Sequence, residues 1–216
     1  MILLTILIVK LTYEQVIQSN PLRQTVHDWM VQPRGQMVSQ DWNNILSMKI
    51  IFLDIDGVIS TQKSHYALDK DACDLLGKII DATDAKIVIS SSWRRNTVED
   101  TKEELTTVRP LVPFPFPYAD RIIGVTIRAY AYVMQGIHLG IPRGVEIKQW
   151  IDTHIHSDNG KDWNHKELGV DFNYVILDDD SDMLLEQAEH FIKTDTYLGL
   201  SENDVEQAIK ILKPCL

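Results

Sequence analysis

A run of apolar residues that ends in two acids and a glycine constrains this chain more than any other stretch. Residues 49–59 read KIIFLDIDGVI, so Asp54 and Asp56 close a strand-like segment and Gly57 follows at once. Residues i and i+2 of a strand point to the same side, which lets the two carboxylates converge on one point. Gly57 lets the chain turn away, because a residue without a Cβ adopts positive φ readily. A pair of acids at the carboxyl end of a buried strand is typical of the ligand sites of open α/β sheets.

Downstream of this segment the chain alternates apolar strands with stretches of helical periodicity, which predicts a parallel α/β sheet. The expected strands lie at residues 49–54, 86–90, 174–178 and 191–197, and the expected helices at 69–83, at 144–155 and after Ser201. Ser201 suits an N-cap because Asp204 stands three residues later, as in a capping box. The predicted fold class is therefore α/β, a Rossmann-like three-layer sandwich with a central, mostly parallel sheet.

Three stretches depart from this alternation. Residues 1–47 carry weak patterns broken by prolines and a glycine, so we expect an N-terminal extension outside a core domain at 48–216. Residues 96–142 become proline-rich and predict a small insert, whose β-forming part at 121–134 favours a hairpin. Residues 154–173 are polar and rich in Gly, Asn and Asp, which is typical of a loop.

The composition is that of a soluble globular protein, with 44% hydrophobic and 24% charged residues among 216. A net charge of −10 argues against a protein that coats nucleic acid through a basic surface, although it permits a local basic groove. The two cysteines, Cys73 and Cys215, have no metal-type spacing, and reduced thiols of this kind predict a cytoplasmic location. The apolar run at residues 1–9 is shorter than the roughly 20 residues that a bilayer takes, so we expect no membrane partner.

A second acidic cluster follows the strand at 174–178, where Asp178 and Asp179 come at its end. Because the carboxyl ends of parallel strands meet at one edge of a sheet, these acids should converge with Asp54 and Asp56. Two like charges about 4 Å apart repel by about 4 kcal/mol at an effective dielectric constant of about 20. A divalent cation relieves this repulsion, and carboxylate oxygens suit Mg²⁺ better than zinc. The sequence thus predicts a Mg²⁺ site formed by Asp54, Asp56, Asp178 and Asp179.

Hydroxyls and a cation are expected at the same edge. Ser90 and Ser91 close the second strand, and the helix at 144–155 offers a cation near its start, with Arg143 favoured and Lys148 as the alternative. A phosphate beside the metal can accept hydrogen bonds from these hydroxyls, while the cation offsets its charge. The predicted phosphate-binding residues are therefore Ser90, Ser91, Arg143 and Lys148.

The two acids of the first segment have complementary roles in phosphoryl transfer. Asp54 can attack phosphorus and form an aspartyl-phosphate. Asp56 can protonate the leaving oxygen and later take a proton from the attacking water. We therefore expect Asp54 and Asp56 to be the catalytic residues of a Mg²⁺-dependent phosphatase that acts on a phosphomonoester.

These motifs resemble those of the haloacid dehalogenase (HAD) superfamily of phosphohydrolases, whose first motif is a hydrophobic strand followed by Asp-x-Asp-Gly. The resemblance covers residues 49–213, and the run SSSWR at 90–94 is similar to that of the small Swiss-army-knife RNA-repair-like HAD domains. It implies that Asp54 is the nucleophile and a metal ligand, and that Asp56 is the acid/base and ligates the metal through its backbone carbonyl. It also implies that Ser90 binds the phosphoryl group and that Asp179, with Asp178 beside it, completes the metal shell. Which of Asp178, Asp179 and Asp182 touches the metal stays open.

The expected substrate is either a small phosphorylated molecule or the phosphorylated end of a nucleic acid. One predicted helix fills the interval between the first two motifs, which leaves no room there for a large cap domain. Members of the superfamily with a minimal cap tend to act on large substrates. A group of arginines in the second half of the chain forms either a basic strip for such a substrate or, as we favour, scattered surface charges; it comprises Arg109, Arg121, Arg128 and Arg143.

Several assignments stay open at this point. An alternative function is a non-catalytic nucleic-acid- or protein-binding module on a HAD scaffold, against which the intact pair Asp54 and Asp56 argues. Trp93 and its neighbour Arg94 can contact a substrate, and Trp93 can equally anchor the core. Asp182 is expected to favour the N-terminus of a following helix by its charge. The sequence does not indicate an oligomeric state.

Overall fold

The computed structural model describes residues 47–133, 137–154 and 171–213. The N-terminal extension expected at 1–47 lies outside these residues except for Ser47, and most of the loop expected at 154–173 lies outside them too. Among the helices in the described ranges, none has the length and apolar character that crossing a bilayer requires.

The chain forms seven strands and four α-helices in the described ranges. The strands are β1 (Ser47–Leu53), β2 (Lys86–Ile89), β3 (Ile122–Val125), β4 (Tyr130–Val133), β5 (Ile137–Gly140), β6 (Asp171–Asp178) and β7 (Phe191–Lys193). The helices are α1 (Lys70–Thr83), α2 (Val98–Thr106), α3 (Arg143–His154) and α4 (Glu202–Leu212). Short 3₁₀ turns at Ala119–Arg121 and Leu185–His190 precede β3 and β7.

Five parallel strands form the central sheet in the order β3-β2-β1-β6-β7. β1 lies in the middle and pairs with β6 along its whole length, from Ser47 opposite Asp171 to Leu53 opposite Leu177. A strand that neighbours cover on both sides and both faces needs an unbroken apolar run, and residues 50–53 are fully buried. The predicted α/β class with a parallel sheet is confirmed.

Helices cover both faces of this sheet. Ile51 and Leu53 of β1 belong to the main hydrophobic core with buried residues of α1 and α4. Phe52 points the other way and meets Trp150 of α3 edge-on, with the ring centroids 5.5 Å apart. The alternation along β1 therefore places one helix layer on each side, as a three-layer sandwich requires.

Local signals define where the helices begin and end. Asp69 caps α1 by accepting hydrogen bonds from the backbone N–H groups of Asp71 and Ala72. At the start of α4, Ser201 and Asp204 form the predicted capping box, since each side chain accepts from the backbone of the other residue. Both helices follow loops that leave the carboxyl edge of the sheet, so these caps also fix the loops beside the acids.

The predicted hairpin at 121–134 is wrong in its first half. Ile122–Val125 is β3, which pairs with β2 in the central sheet, and the antiparallel hairpin is instead formed by β4 and β5. Ile122 and Gly124 are buried, and a Cβ at Gly124 would meet the indole of Trp150 at 2.8 Å. The segment expected as an insert at 96–142 therefore supplies an edge strand of the core.

Candidate active site

Three carboxylates meet where β1 and β6 end side by side. Asp54 follows the last residue of β1, and Asp178 is the last residue of the parallel neighbour β6. One carboxylate oxygen from each of Asp54, Asp178 and Asp179 lies within 4.8 Å of the others. Asp54 and Asp178 are buried, with 7% and 2% of their surfaces exposed. The structure thus brings together three of the four acids that the sequence proposed for a metal site.

Gly57 makes room for one of these acids. Its φ is +71°, and a Cβ at this position would overlap the carboxyl carbon of Asp179. Its carbonyl accepts a hydrogen bond of 2.8 Å from the hydroxyl of Thr194, which holds the turn against the loop after β7. A glycine is needed here both for the left-handed backbone and for the approach of Asp179 to Asp54.

Burial and mutual repulsion destabilise the charged forms of these acids. Burial raises the pKa of Asp54 to about 6, a rise that the Ser91 hydroxyl and the charge of Arg143 oppose. Burial likewise raises the pKa of Asp178 to about 8, and the negative charge of Asp54 raises it further. Oδ1 of Asp54 is buried and has no hydrogen-bond partner among the described residues. A cation among these oxygens would stabilise both carboxylates in their charged form and give Oδ1 of Asp54 a partner.

The carboxylate of Asp56 points to other partners. Its Oδ1 accepts a hydrogen bond of 2.9 Å from the indole N–H of Trp93, and its Oδ2 accepts one of 3.2 Å from the hydroxyl of Ser92. The hydroxyl of Ser60 lies farther away, at 3.4 Å, and is 2.9 Å from the carbonyl of Tyr66. Asp56 is therefore held by two donors, and its carboxylate is not one of the three that lie together in the acidic cluster.

Trp93 is the residue whose role the sequence left between substrate contact and core anchor. The structure gives its two parts different partners: the ring packs against the main core, and the N–H holds Asp56. The two donors to Asp56, Ser92 and Trp93, belong to the same run of residues after β2 that the sequence singled out for its serines. The sequence did not indicate that Ser92 and Trp93 are the members of this run that face Asp56.

The two predicted serines lie on different sides of the strand end. Ser90 donates its backbone N–H to the carbonyl of Leu53 at 2.8 Å, and its hydroxyl accepts from that of Thr126 at 3.4 Å. Ser91 is fully buried, and its hydroxyl acts on Asp54, whose pKa it lowers. Of the two hydroxyls, that of Ser91 is thus the one that faces the acidic cluster.

Arg143 begins α3 and turns toward the acids. Its Nε lies 3.7 Å from Oδ2 of Asp178, and its Nη1 lies 3.4 Å from the buried carboxylate of Glu146. The backbone N–H of Arg143 donates to Oδ2 of Asp182 at 2.7 Å, so Asp182 caps α3. The expected helix-end role of Asp182 thus falls on the helix that precedes it in the chain, because the fold brings the loop after β6 back to that N-terminus.

Lys148, the alternative cation, lies elsewhere on α3. Its ammonium is 3.2 Å from Asp152 and 3.6 Å from Glu186, and about half of the side chain is exposed. The structure therefore brings Arg143 to the acidic cluster and does not bring Lys148 there.

A buried ion pair supports the loop that carries the donors to Asp56. Arg94 donates to Oε2 of Glu146 at 2.7 Å, and both side chains are almost completely buried. Oε1 of Glu146 accepts from the backbone N–H of Ala129 at 2.8 Å. Arg94 is thus a structural residue rather than a substrate contact, and its partner could not be read from the sequence because it lies 52 residues away.

The four arginines considered as a basic strip do not all lie together, and Arg109 pairs with Glu104. Arg121 lies at the start of β3 and pairs with Asp84 at the amino edge of the sheet, opposite Asp54. Arg128 follows β3 at the carboxyl edge, where its guanidinium donates to the carbonyl of Ser92. The favoured interpretation of separate surface charges therefore holds for Arg121, whereas Arg128 and Arg143 lie on the side of the acids.

A comparison with protein families agrees with this geometry. The model described as "HAD domain in Swiss Army Knife RNA repair proteins" matches residues 50–205, which include both acidic segments, the serines, Arg143 and most of the chain. The chain belongs to that family. No curated protein and no solved structure matches it. For this HAD domain the family points to phosphohydrolase-type chemistry, and the acidic cluster is suited to a divalent metal.

Proposed function

We propose that this HAD domain is a Mg²⁺-dependent phosphatase that hydrolyses a phosphomonoester through an aspartyl-phosphate on Asp54. One observation carries the proposal: the buried Asp54 has an unpaired oxygen and stands within 4.8 Å of the carboxylates of Asp178 and Asp179. A protein gains no stability from gathering three acids in a buried place, so a function is the reason to keep them there.

The residues present fit a magnesium ion. The donor set is all oxygen: the carboxylates of Asp54, Asp178 and Asp179 would hold the ion, and the family resemblance adds the backbone carbonyl of Asp56. When bound, the ion offsets the negative charge of the acids and of the phosphate and polarises a phosphoryl oxygen.

The chain's own residues supply the covalent and proton-transfer steps. A carboxylate oxygen of Asp54 forms a bond to phosphorus as the bond from phosphorus to the ester oxygen breaks. Asp56, which Trp93 and Ser92 hold in place, gives a proton to the departing oxygen. It then takes a proton from the water that attacks phosphorus, which releases inorganic phosphate and restores Asp54.

Arg143 and the hydroxyl of Ser91 bind the transferring phosphate. Arg143 stands 3.7 Å from Asp178, so its charge is close enough to the acids to attract a phosphate to them. Ser91 faces Asp54, whereas the hydroxyl of Ser90 meets Thr126, so Ser91 is the serine that we place on the phosphate. These groups hydrogen-bond phosphoryl oxygens while the negative charge on them is redistributed.

The substrate class that we favour is a phosphorylated end of RNA or DNA. The family description concerns RNA repair proteins, and α1 is the one helix between β1 and β2, so no large cap interrupts that connection. A small phosphorylated molecule is the competing substrate. A panel of oligonucleotides with 3′- or 5′-phosphates, run against sugar phosphates and nucleotides, separates the two by kcat/KM.

Hydrolysis of an aryl phosphate with and without Mg²⁺ tests the activity itself. We expect Mg²⁺-dependent turnover in the wild type and a loss of at least about 10³-fold in Asp54→Asn, which lacks the nucleophile. Asp180→Asn is the matched control, because Asp180 is an exposed neighbour whose carboxylate accepts from the backbone of Ser181. A folded protein without turnover on any phosphoester would instead support the non-catalytic binding module.

A further inference from the structure

Arg128 differs from the other arginines in the described part of the chain. The others each have a carboxylate partner: Arg94 and Arg143 pair with Glu146, Arg95 and Arg109 with Glu104, and Arg121 with Asp84. Arg128 has no ion pair with any carboxylate of the described residues. Its positive charge is therefore not neutralised within that part of the protein.

Main-chain carbonyls hold the guanidinium of Arg128 in place. Its Nη2 donates to the carbonyl of Ser92 at 2.7 Å and to that of Arg94 at 3.2 Å. Neutral carbonyls orient the group but leave its full charge. A fixed, charged guanidinium with donors to spare is the arrangement that proteins use to bind phosphate, because little conformational freedom is lost on binding.

Ser92 places this charge beside the proposed acid. The carbonyl of Ser92 accepts from Arg128, and the hydroxyl of the same residue donates to Oδ2 of Asp56 at 3.2 Å. Asp56 protonates the leaving oxygen, so the part of the substrate that departs must lie on this side of the site. Arg128 is thus near the leaving group, whereas Arg143 lies near Asp178, in the acidic cluster that contains the nucleophile Asp54.

A cleft extends from Arg128. It has a volume of about 900 Å³ and runs between α2 and the segment after β3, with Asn96, Thr126 and Ile127 among its lining residues. Four arginines, Arg128 among them, face three acids in its wall, Asp100, Glu103 and Glu104, and Glu104 pairs with Arg95 and Arg109. Ile127 is 46% exposed and offers an apolar surface next to the charge. The cleft can therefore hold a group that carries both an anion and an apolar part.

We propose that Arg128 and this cleft form a second anion subsite, which binds a further phosphate on the leaving-group part of the substrate. The inference rests on the proposed phosphatase activity and narrows its substrate to molecules with at least two phosphates. That second phosphate is either a phosphodiester of a nucleotide strand or a second monoester on a small molecule.

The test compares substrates with and without the second phosphate in Arg128→Gln. The substrates are a dinucleotide with a terminal phosphate, the corresponding nucleoside monophosphate and a sugar bisphosphate. For the two substrates with a second phosphate, we expect kcat/KM to fall by about 10–100-fold, mainly through a higher KM. This loss should be at least about tenfold larger than the loss for the monophosphate. Arg128→Lys should restore part of the loss, and Arg121→Gln, at the opposite edge of the sheet, should show no such discrimination.

The outcomes separate cleanly. A loss confined to the dinucleotide identifies a phosphodiester as the ligand, and a loss confined to the bisphosphate identifies a small molecule. Equal losses on all three substrates, or no loss on any, overturn the subsite. If the wild type hydrolyses none of them, binding of the phosphorylated dinucleotide to Asp54→Asn and to Asp54→Asn/Arg128→Gln still decides the point. Weaker binding in the double variant supports the subsite, and equal binding overturns it, whatever becomes of the proposed activity.

Discussion

Asp54 and Asp178 are two buried acids whose negative charges repel each other. This repulsion determines how the stability of the metal-free protein depends on pH. Burial raises both pKa values, to about 6 and about 8. Between the ordinary pKa of an aspartate and these values, the folded chain binds more protons than the unfolded chain. The free energy of unfolding contributed by the pair is therefore largest in acid and is lost as the pH rises toward 8.

Asp178→Asn should remove most of this pH dependence. We expect the metal-free variant to unfold at a higher temperature than the wild type at pH 8, by about 2–4 °C for each kcal/mol gained, with the gap narrowing as the pH falls toward the ordinary pKa of an aspartate. Thermal unfolding in the presence of a chelator, across that pH range, measures the gap. Asp180→Asn should follow the wild type. If the variant is less stable than the wild type at pH 8, the two buried carboxylates do not destabilise the folded protein as proposed.

Trp93 provides a second test at the scale of one residue. If its N–H positions Asp56 as a general acid, Trp93→Phe should slow esters whose leaving group needs a proton far more than esters whose leaving group does not. We expect a loss of about 10–100-fold on alkyl phosphates and less than about threefold on an aryl phosphate with a strongly acidic phenol. Steady-state kinetics on such a series measures the difference.

The control for Trp93 is Trp150→Phe, which changes an indole on the other face of β1, against Phe52. It should alter stability without changing the dependence of rate on the leaving group. If Trp93→Phe slows all esters equally, Trp93 acts only as a core anchor.

At the scale of elements, the pairing of β1 with β6 makes the site. The register runs without a shift to Leu53 opposite Leu177, so the residues that follow on each strand are neighbours. Both strands could be predicted from their apolar runs, and the meeting of their acids follows from the rule that parallel strands end at one edge. The acids and Arg143 were therefore accessible from the sequence, since each stands at the end or start of a strongly patterned element.

Other elements could not be predicted, for identifiable reasons. β3 has four residues and lies at an edge, so its pattern in Ile122–Val125 does not tell a sheet strand from half of a hairpin. The pairing of Arg94 with Glu146 joins residues far apart in the chain, which a local pattern does not encode. The sequence favours Arg143 over Lys148 as the cation without excluding Lys148, and the direction of α3 decides between them.

The buried pair of Arg94 and Glu146 ties α3 to the loop after β2. Glu146→Ala leaves the guanidinium of Arg94 buried without a carboxylate, so we expect the free energy of unfolding to fall by about 3–5 kcal/mol. Urea denaturation measures it. Lys148→Ala breaks only exposed pairs and should cost less than about 1 kcal/mol. Similar losses in both variants would show that the burial of the pair has no energetic consequence.

At the scale of the whole molecule, an acidic chain must attract the proposed phosphorylated substrate. The net charge is −10, yet Arg128 and Arg143 both lie at the carboxyl edge of the sheet near the acids, while Arg121 lies at the other edge with Asp84. Local positive charge of this kind can guide a phosphate over short distances despite an unfavourable overall field. The same arrangement disfavours binding along the general surface, so recognition should concern a phosphorylated end.

Detection of phosphate on Asp54 tests the account most directly. Asp56→Asn should accumulate the intermediate, because the water that cleaves it lacks a base, provided that the substrate is an aryl phosphate whose leaving group needs no proton. After an acid quench in the presence of Mg²⁺, mass spectrometry should find the phosphate on Asp54 and nowhere else, and no phosphate in Asp54→Asn or without the metal. Continued turnover with Asp54 unmodified, or phosphate on another residue, would contradict the mechanism.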